Sequence, residues 1–326
     1  MSYKSIDGLM RHLRDSGIKI SGSSQKRQLM NTGYFHGYKG YRFFNASRNR
    51  LPFKSYEEVY ATIQYDSKLK ALFYGKIMFI ETAVKNIALE SILINAKSEN
   101  IQIICDKLVS GYKNAPNGST DDQKKRLQQN KLNLQNSIQS SLAKAYKADN
   151  PKITHFYNNT AHTVVPIWAL FEIMTMGDFG YLLSCLTYSV RDDISRRLGI
   201  NISSDTDRQL VYKYIYTLKD LRNAIAHNSV VFDTRFRNID PTKPMKRCLE
   251  QEIGLEYVNF KSIGDYVLLM CYYLKLLNVP KIEIKGFIRD YEKITEEYKD
   301  SVDREVASIV IRSDLPARMN SLKNFI

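Results

Sequence analysis

Apolar residues in this chain recur mostly every third or fourth position, and nowhere do they alternate over a useful length. Ile6, Leu9, Met10 and Leu13 fall at helical spacing. Ser23 and Ser24 open a second short helix to about Met30, and Asn31-Thr32-Gly33 closes it. Ser55-Tyr56-Glu57-Glu58 has the form of a capping box, with a serine at the start and a glutamate three residues on. The helix it opens should run to about Asn95, with one break near Gly75. From Ile77 to Ile94 it is apolar on nearly every side, apart from Glu81, Lys85, Asn86 and Glu90, which marks it as central.

Further along, Asp121 or Asp122 is placed to cap a polar helix over 123–146, and 149–166 reads as a mixed connector holding His155 and His162. A helix from Ile167 should break at Gly177-Asp178, resume to about Ser189, and be followed by a short helical turn over 192–198. The strongest pattern lies between Asp205 and Asn228. There Val211, Tyr214, Ile215, Leu218, Leu221 and Ile225 form one continuous stripe. Residues 232–247 read as a basic loop, and helices return over 262–277 and 284–299. With no strand pattern and no internal repeat, the expected class is all-α.

Composition narrows the functions. The 326 residues are 44% hydrophobic, enough for a substantial core, and no uncharged apolar run is long enough to cross a membrane. The N-terminus enters a polar amphipathic pattern without an apolar leader, so a cytoplasmic protein is expected. Cys105, Cys185, Cys248 and Cys271 are far apart in sequence, so reduced, buried thiols are expected and no metal site or cofactor is implied. The net charge of +14 favours polyanionic partners, nucleic acid first among them. Rings between Tyr34 and Phe44 interleave with Lys39 and Arg42, which suits bases and phosphates, although packing of the same rings under the next helix is the favoured reading. Arg235, Arg237, Lys243, Lys246 and Arg247 are further candidates for contact with an RNA backbone.

The chemistry concentrates in Leu221-Arg222-Asn223-Ala224-Ile225-Ala226-His227-Asn228. On an ideal helix Arg222 falls about 20° from Val211, on the core-facing stripe, where an arginine is costly unless something pairs with it. His227 lies roughly 140° around from Arg222 and about 7.5 Å further along the axis. Metal-free cutting of RNA deprotonates a 2′-hydroxyl, stabilises a phosphorane and protonates a leaving 5′-oxygen. An imidazole serves as base or acid, and a guanidinium fork matches phosphate oxygens. A second copy of the helix would supply a second imidazole. The blander alternatives are an Arg222–Glu81 pair that holds two helices in register, and His227 as a C-terminal cap.

The Arg-Asn-x3-His string resembles the ribonuclease motif of HEPN domains. An ordered series of further segments resembles the AbiD/AbiF type of abortive-infection proteins of bacterial phage defence, which are HEPN proteins. These are Asn31-Thr32-Gly33-Tyr34-Phe35-His36-Gly37-Tyr38, a Tyr65-Asp66-Ser67-Lys68-Leu69 helix start, Ile80-Glu81, the run from Pro166 to Gly177, and Leu221 to Ser229. The resemblance implies a HEPN-type helical bundle with additional N-terminal helices and insertions. Residues 1–54 would form an N-terminal segment, 55–280 the core with an insertion over about 97–165, and 281–326 a helical extension. It also implies a homodimeric, metal-independent endoribonuclease that leaves 2′,3′-cyclic phosphates and is controlled by a noncoding RNA. Arg222, Asn223 and His227 would be catalytic, with Glu81 and Asn228 as site neighbours. Many relatives carry a second histidine where this chain has Asn228. A non-catalytic RNA-binding protein of a defence ribonucleoprotein, or a helical adaptor for another protein, are the alternatives.

Overall fold

Local capping signals set where most of the helices begin, and the computed structural model, which describes residues 4–160 and 164–326, shows them in use. Ser5 caps α1 (Ile6–Asp15), accepting from Gly8 N at 3.3 Å. α2 (Gly22–Thr32) passes through Gly33, at φ 74°, into a π-helix over Gly33–Lys39. Gly37 is required there: a Cβ at this position would lie 2.9 Å from Thr32 Oγ1. The two short strands β1 (Phe43–Phe44) and β2 (Ala46–Arg50) pair antiparallel, a hairpin that the hydrophobic pattern did not announce.

α3 (Tyr56–Ala96) opens with the expected box: Glu58 N donates to Ser55 Oγ at 3.4 Å, and Ser55 N to Glu58 Oε2 at 3.0 Å. It does not break at Gly75. Leu69, Phe73, Ile77, Ile80, Val84, Ala88 and Ile92 form one fully buried stripe that runs past the glycine, and this burial outweighs its weak helix propensity. Tyr65–Leu69 is therefore mid-helix rather than a helix start.

α4 (Ile101–Leu108), capped by Asn100, is a short helix where no element was expected, and α6 (Pro151–Asn158), capped by Asn150 with Pro151 at its first position, lies in the stretch that reads as connector. His162 lies outside the described residues. Between them α5 (Asp121–Lys147) is capped by Thr120 and Gln123, not by an aspartate. The break after α7 (Ile167–Ile173) comes at Met174-Thr175. Thr175 caps α8 (Met176–Cys185), so Gly177 and Asp178 sit inside its first turn. α9 spans Tyr188–Arg197 and α10 spans Leu210–Ala226. Asp205 precedes α10 and accepts from Gln209 N and Leu210 N at 2.8 and 3.0 Å. The expected basic loop over 232–247 gives way to α11 (Lys243–Ile253), because Met245, Cys248, Leu249 and Ile253 bury one face and Pro244 falls in the first turn. α12 (Ile263–Leu276) is almost wholly buried, and α13 (Lys281–Asp300), α14 (Arg304–Val310) and α15 (Leu315–Phe325) complete the chain.

The fold is all-α, and no described helix is long and apolar enough to cross a membrane. The chain forms two compact units. The first comprises residues 1–78, 220–241 and 249–326, and the second 79–219 and 242–248. In the first, Tyr65 stacks on Tyr298 at 4.5 Å and Arg318 pairs with buried Asp265. In the second, Ser137 bonds Asp178 at 2.8 Å and Ser91 bonds Asp193 at 2.6 Å. The four cysteines are buried and form no disulfide with one another, and burial pushes the Cys105 thiol up to about 11.

One group organises the first unit. Asp66, on α3, has no exposed surface. Its Oδ1 accepts from Val231 N and Phe232 N at 2.7 and 2.8 Å, and its Oδ2 meets Tyr41 Oη at 2.8 Å and Lys70 Nζ at 2.7 Å. Burial, with the Asp66 charge beside it, pushes the Tyr41 hydroxyl far above its ordinary pKa, so it remains a donor. We predict that Asp66→Ala lowers unfolding stability by about 3–5 kcal/mol, because it leaves a buried ammonium without its counter-charge and two amide donors unpaired. Urea denaturation checks this; a midpoint unchanged from wild type would show that Asp66 does not organise the unit.

Candidate functional site

The motif occupies the last turn of α10. Val211, Tyr214, Ile215, Leu218 and Leu221 are buried, as the stripe requires, and Ile225 is half-buried. His227 N donates to Asn223 O at 2.9 Å, the last helical bond. Beyond it Asn228 N reaches Ile225 O at 3.1 Å and Ser229 N reaches Ala224 O at 2.8 Å. With Asn228 at φ 52°, this is a Schellman closure. His227 is thus the C-cap residue, and Asn228 takes the left-handed position that asparagine tolerates better than most side chains.

That backbone sets where the side chains lie. Arg222 and Asn223 are half-buried, and His227 and Asn228 are exposed. Arg222 Nη1 donates to Asn223 Oδ1 at 3.2 Å, while its Nε is buried and has no hydrogen-bond partner among the described residues. The motif therefore ends in a guanidinium steadied by its neighbouring amide and an imidazole open to solvent. Glu81 belongs to the second unit, where its Oε1 pairs with Lys85 Nζ at 2.9 Å and its Oε2 is buried without a hydrogen-bond partner. Lys85 also donates to Met174 O at 2.7 Å.

Asn228 ties the motif to the ring-rich segment. Lys70 Nζ donates to Asn228 Oδ1 at 2.9 Å, and Asn228 Nδ2 lies 3.2 Å from His36 Nε2. The chain after the motif is strapped down by the same segment. Tyr41 stacks on Phe232 at 5.9 Å, Asp233 Oδ2 accepts from Asn45 N at 2.9 Å, and Arg235 donates to Gly40 O and Phe43 O at 2.8 and 2.6 Å. Tyr38 and Tyr41 are buried, whereas Phe35 is 76% exposed. His36, Asp66 and Lys70 were not among the site residues expected from the sequence. Their partners at and after the motif lie more than 150 positions away, and no local spacing signals that.

The proposed RNA-contacting cations divide. Lys39 Nζ lies 5.3 Å from the Phe35 ring, and Arg42 sits 4.5 Å from the Phe43 ring. Arg235 is occupied with Asp233 and two carbonyls, and Arg237 with Asp240 and the carbonyls of Asn259 and Phe260. Lys243 and Arg247, on α11 in the second unit, are exposed, and Lys246 is half-buried. Among the described residues no group of three or more His, Cys, Asp or Glu is placed to hold a metal ion.

Fold and motif together define an all-helical protein with an Arg-Asn-x3-His helix end. More particularly, the chain belongs to the Abi-like protein family, whose model matches residues 27–233. The match begins in α2 and closes on the turn that Asp66 holds. No curated protein and no solved structure matches the chain.

The left-handed cap makes a separable prediction. Asn228→Ala and Asn228→Gly both lose the contacts to Lys70 and His36, but only alanine keeps a Cβ at positive φ. We expect Asn228→Ala to be less stable than Asn228→Gly by about 1 kcal/mol. Paired thermal melts read the difference, and equal stabilities would contradict the Schellman geometry.

Proposed function

We propose that this chain is a metal-independent endoribonuclease of the HEPN, AbiD/AbiF type, acting as an abortive-infection toxin in bacterial phage defence. On this reading the core spans residues 55–280 and the protein works in the cytoplasm. The observation that carries the proposal is the state of Arg222. Its guanidinium reaches no carboxylate among the described residues and keeps a buried, unpartnered Nε, yet it stands at the helix end where His227 is open. A half-buried cation without a protein counter-charge is suited to an anion brought by a substrate.

In this chemistry the His227 imidazole takes the proton of a 2′-hydroxyl, which attacks the adjacent phosphorus, or returns a proton to the departing 5′-oxygen. Arg222 neutralises charge on the phosphorane, and Asn223 Oδ1 keeps the guanidinium oriented. Two copies of the chain would supply one imidazole for each role, so a homodimer is the proposed active form. The products are a 2′,3′-cyclic phosphate and a 5′-hydroxyl. The excess of +14 charges gives RNA a non-specific hold, and exposed Phe35 beside Lys39 adds a surface for a base. Those two observations also favour a second reading, in which the chain binds RNA without cutting it as part of a defence ribonucleoprotein. The readings combine if a cognate noncoding RNA holds the nuclease inactive.

The test is incubation of wild type and His227→Ala with RNA in the presence of EDTA. Wild type should cut, and the variant should be slower by about 10²–10⁴-fold. Equal cutting by both, or a requirement for divalent metal, contradicts the proposal. A shifted band with intact RNA would select the second reading.

A further inference from the structure

We infer that His36 is a positioning residue of the Arg222–His227 site, acting as a hydrogen-bond acceptor for Asn228; this rests on the ribonuclease reading above. Lys70 sets the orientation of the Asn228 amide. An ammonium has only donors, so the Asn228 oxygen that meets Lys70 Nζ at 2.9 Å fixes which way the amide faces. Its Nδ2 then points at His36 Nε2, 3.2 Å away. An amide nitrogen donates, so Nε2 must present its lone pair. The contact therefore selects the His36 tautomer that carries its proton on Nδ1. A proton on Nε2 would set donor against donor.

The contacts close into a ring. His36 bonds Asn228, Asn228 bonds Lys70, Lys70 pairs with Asp66, Asp66 bonds Tyr41, and the Tyr41 ring meets the His36 ring edge-on at 6.4 Å and 83°. Asn228 is the member of this ring that adjoins His227 in sequence. A non-glycine residue at positive φ persists where its surroundings over-determine it, and here both ends of its side chain are held. His36 closes the ring from the π-helix, whose path Gly37 permits by its close approach to Thr32. The function of the ring is to keep the residue after His227 from shifting, and so to hold the catalytic imidazole in register with the guanidinium earlier on the same helix.

The experiment compares His36→Ala and His36→Gln with wild type in RNA cutting, alongside thermal melts. Glutamine places an amide oxygen where Nε2 was and still accepts from Asn228. We expect His36→Ala to remain folded and lose about 10- to 100-fold in kcat with little change in KM. His36→Gln should return to within about threefold of wild type. A folded His36→Ala that cuts like wild type overturns the inference, as does a His36→Gln as slow as His36→Ala. Should wild type not cut RNA at all, the ribonuclease reading fails on its own. Long-range proton–nitrogen spectra of histidine-labelled protein at mildly alkaline pH then decide whether His36 holds Asn228. A bare Nε2 with the proton on Nδ1 is expected, and a protonated Nε2 overturns the contact.

Discussion

A carboxylate with no exposed surface has to find all its partners inside the protein, and Asp66 finds four: two backbone amides after the motif, a tyrosine hydroxyl and a lysine. Burial of a charge is expensive enough that such a group fixes whatever surrounds it. Here it fixes the path of the chain as it leaves α10, the place of the aromatic segment over that path, and the ammonium that turns Asn228. The rest of the first unit around the motif is arranged to satisfy Asp66.

This bears on function because the motif lies at a helix terminus, where helices ordinarily fray. His227 occupies the final position with a regular helical hydrogen bond, and beyond it α10 offers only the closing bonds from Asn228 N and Ser229 N to its last carbonyls. This Schellman closure and the Asp66 clamp, only a few residues apart, hold the residues that follow. An exposed imidazole on a fixed backbone suits a reaction that demands alignment among base, phosphorus and leaving oxygen. Arg222 needs less support, since it projects from within the helix and leans on Asn223.

Much of the fold was legible where one strong local signal ruled. The all-α class came from apolar spacing, the start of α3 from Ser55 and Glu58, and α10 from its stripe. The failures share a cause. α4 and α6 are too short for periodicity to show, α11 was obscured by Pro244 and its charged neighbours, and the hairpin and π-helix depend on contacts far along the chain. The motif itself was legible, because Arg222 on an apolar stripe is an anomaly in any helix. Its surroundings were not. Asp66 reads as one polar residue on the face of a long helix, and its role exists only once residues 231 and 232 arrive beside it. The rings between Tyr34 and Phe44 invited a reading as an RNA platform, yet Tyr38 and Tyr41 turn inward, Tyr41 to meet Asp66 and Tyr38 to accept from Arg50, leaving Phe35 at the surface.

The central claim is that Arg222 and His227 activate the RNA's own 2′-hydroxyl. The chemistry of the cut ends tests this most directly. RNA recovered after exposure to the protein should end in 2′,3′-cyclic phosphate, paired with 5′-hydroxyl fragments, and those ends should be missing when Arg222 is replaced by alanine. Fragments that carry 3′-hydroxyl and 5′-phosphate would mean that water, not the ribose, attacked the phosphorus, and the account of this site would be wrong.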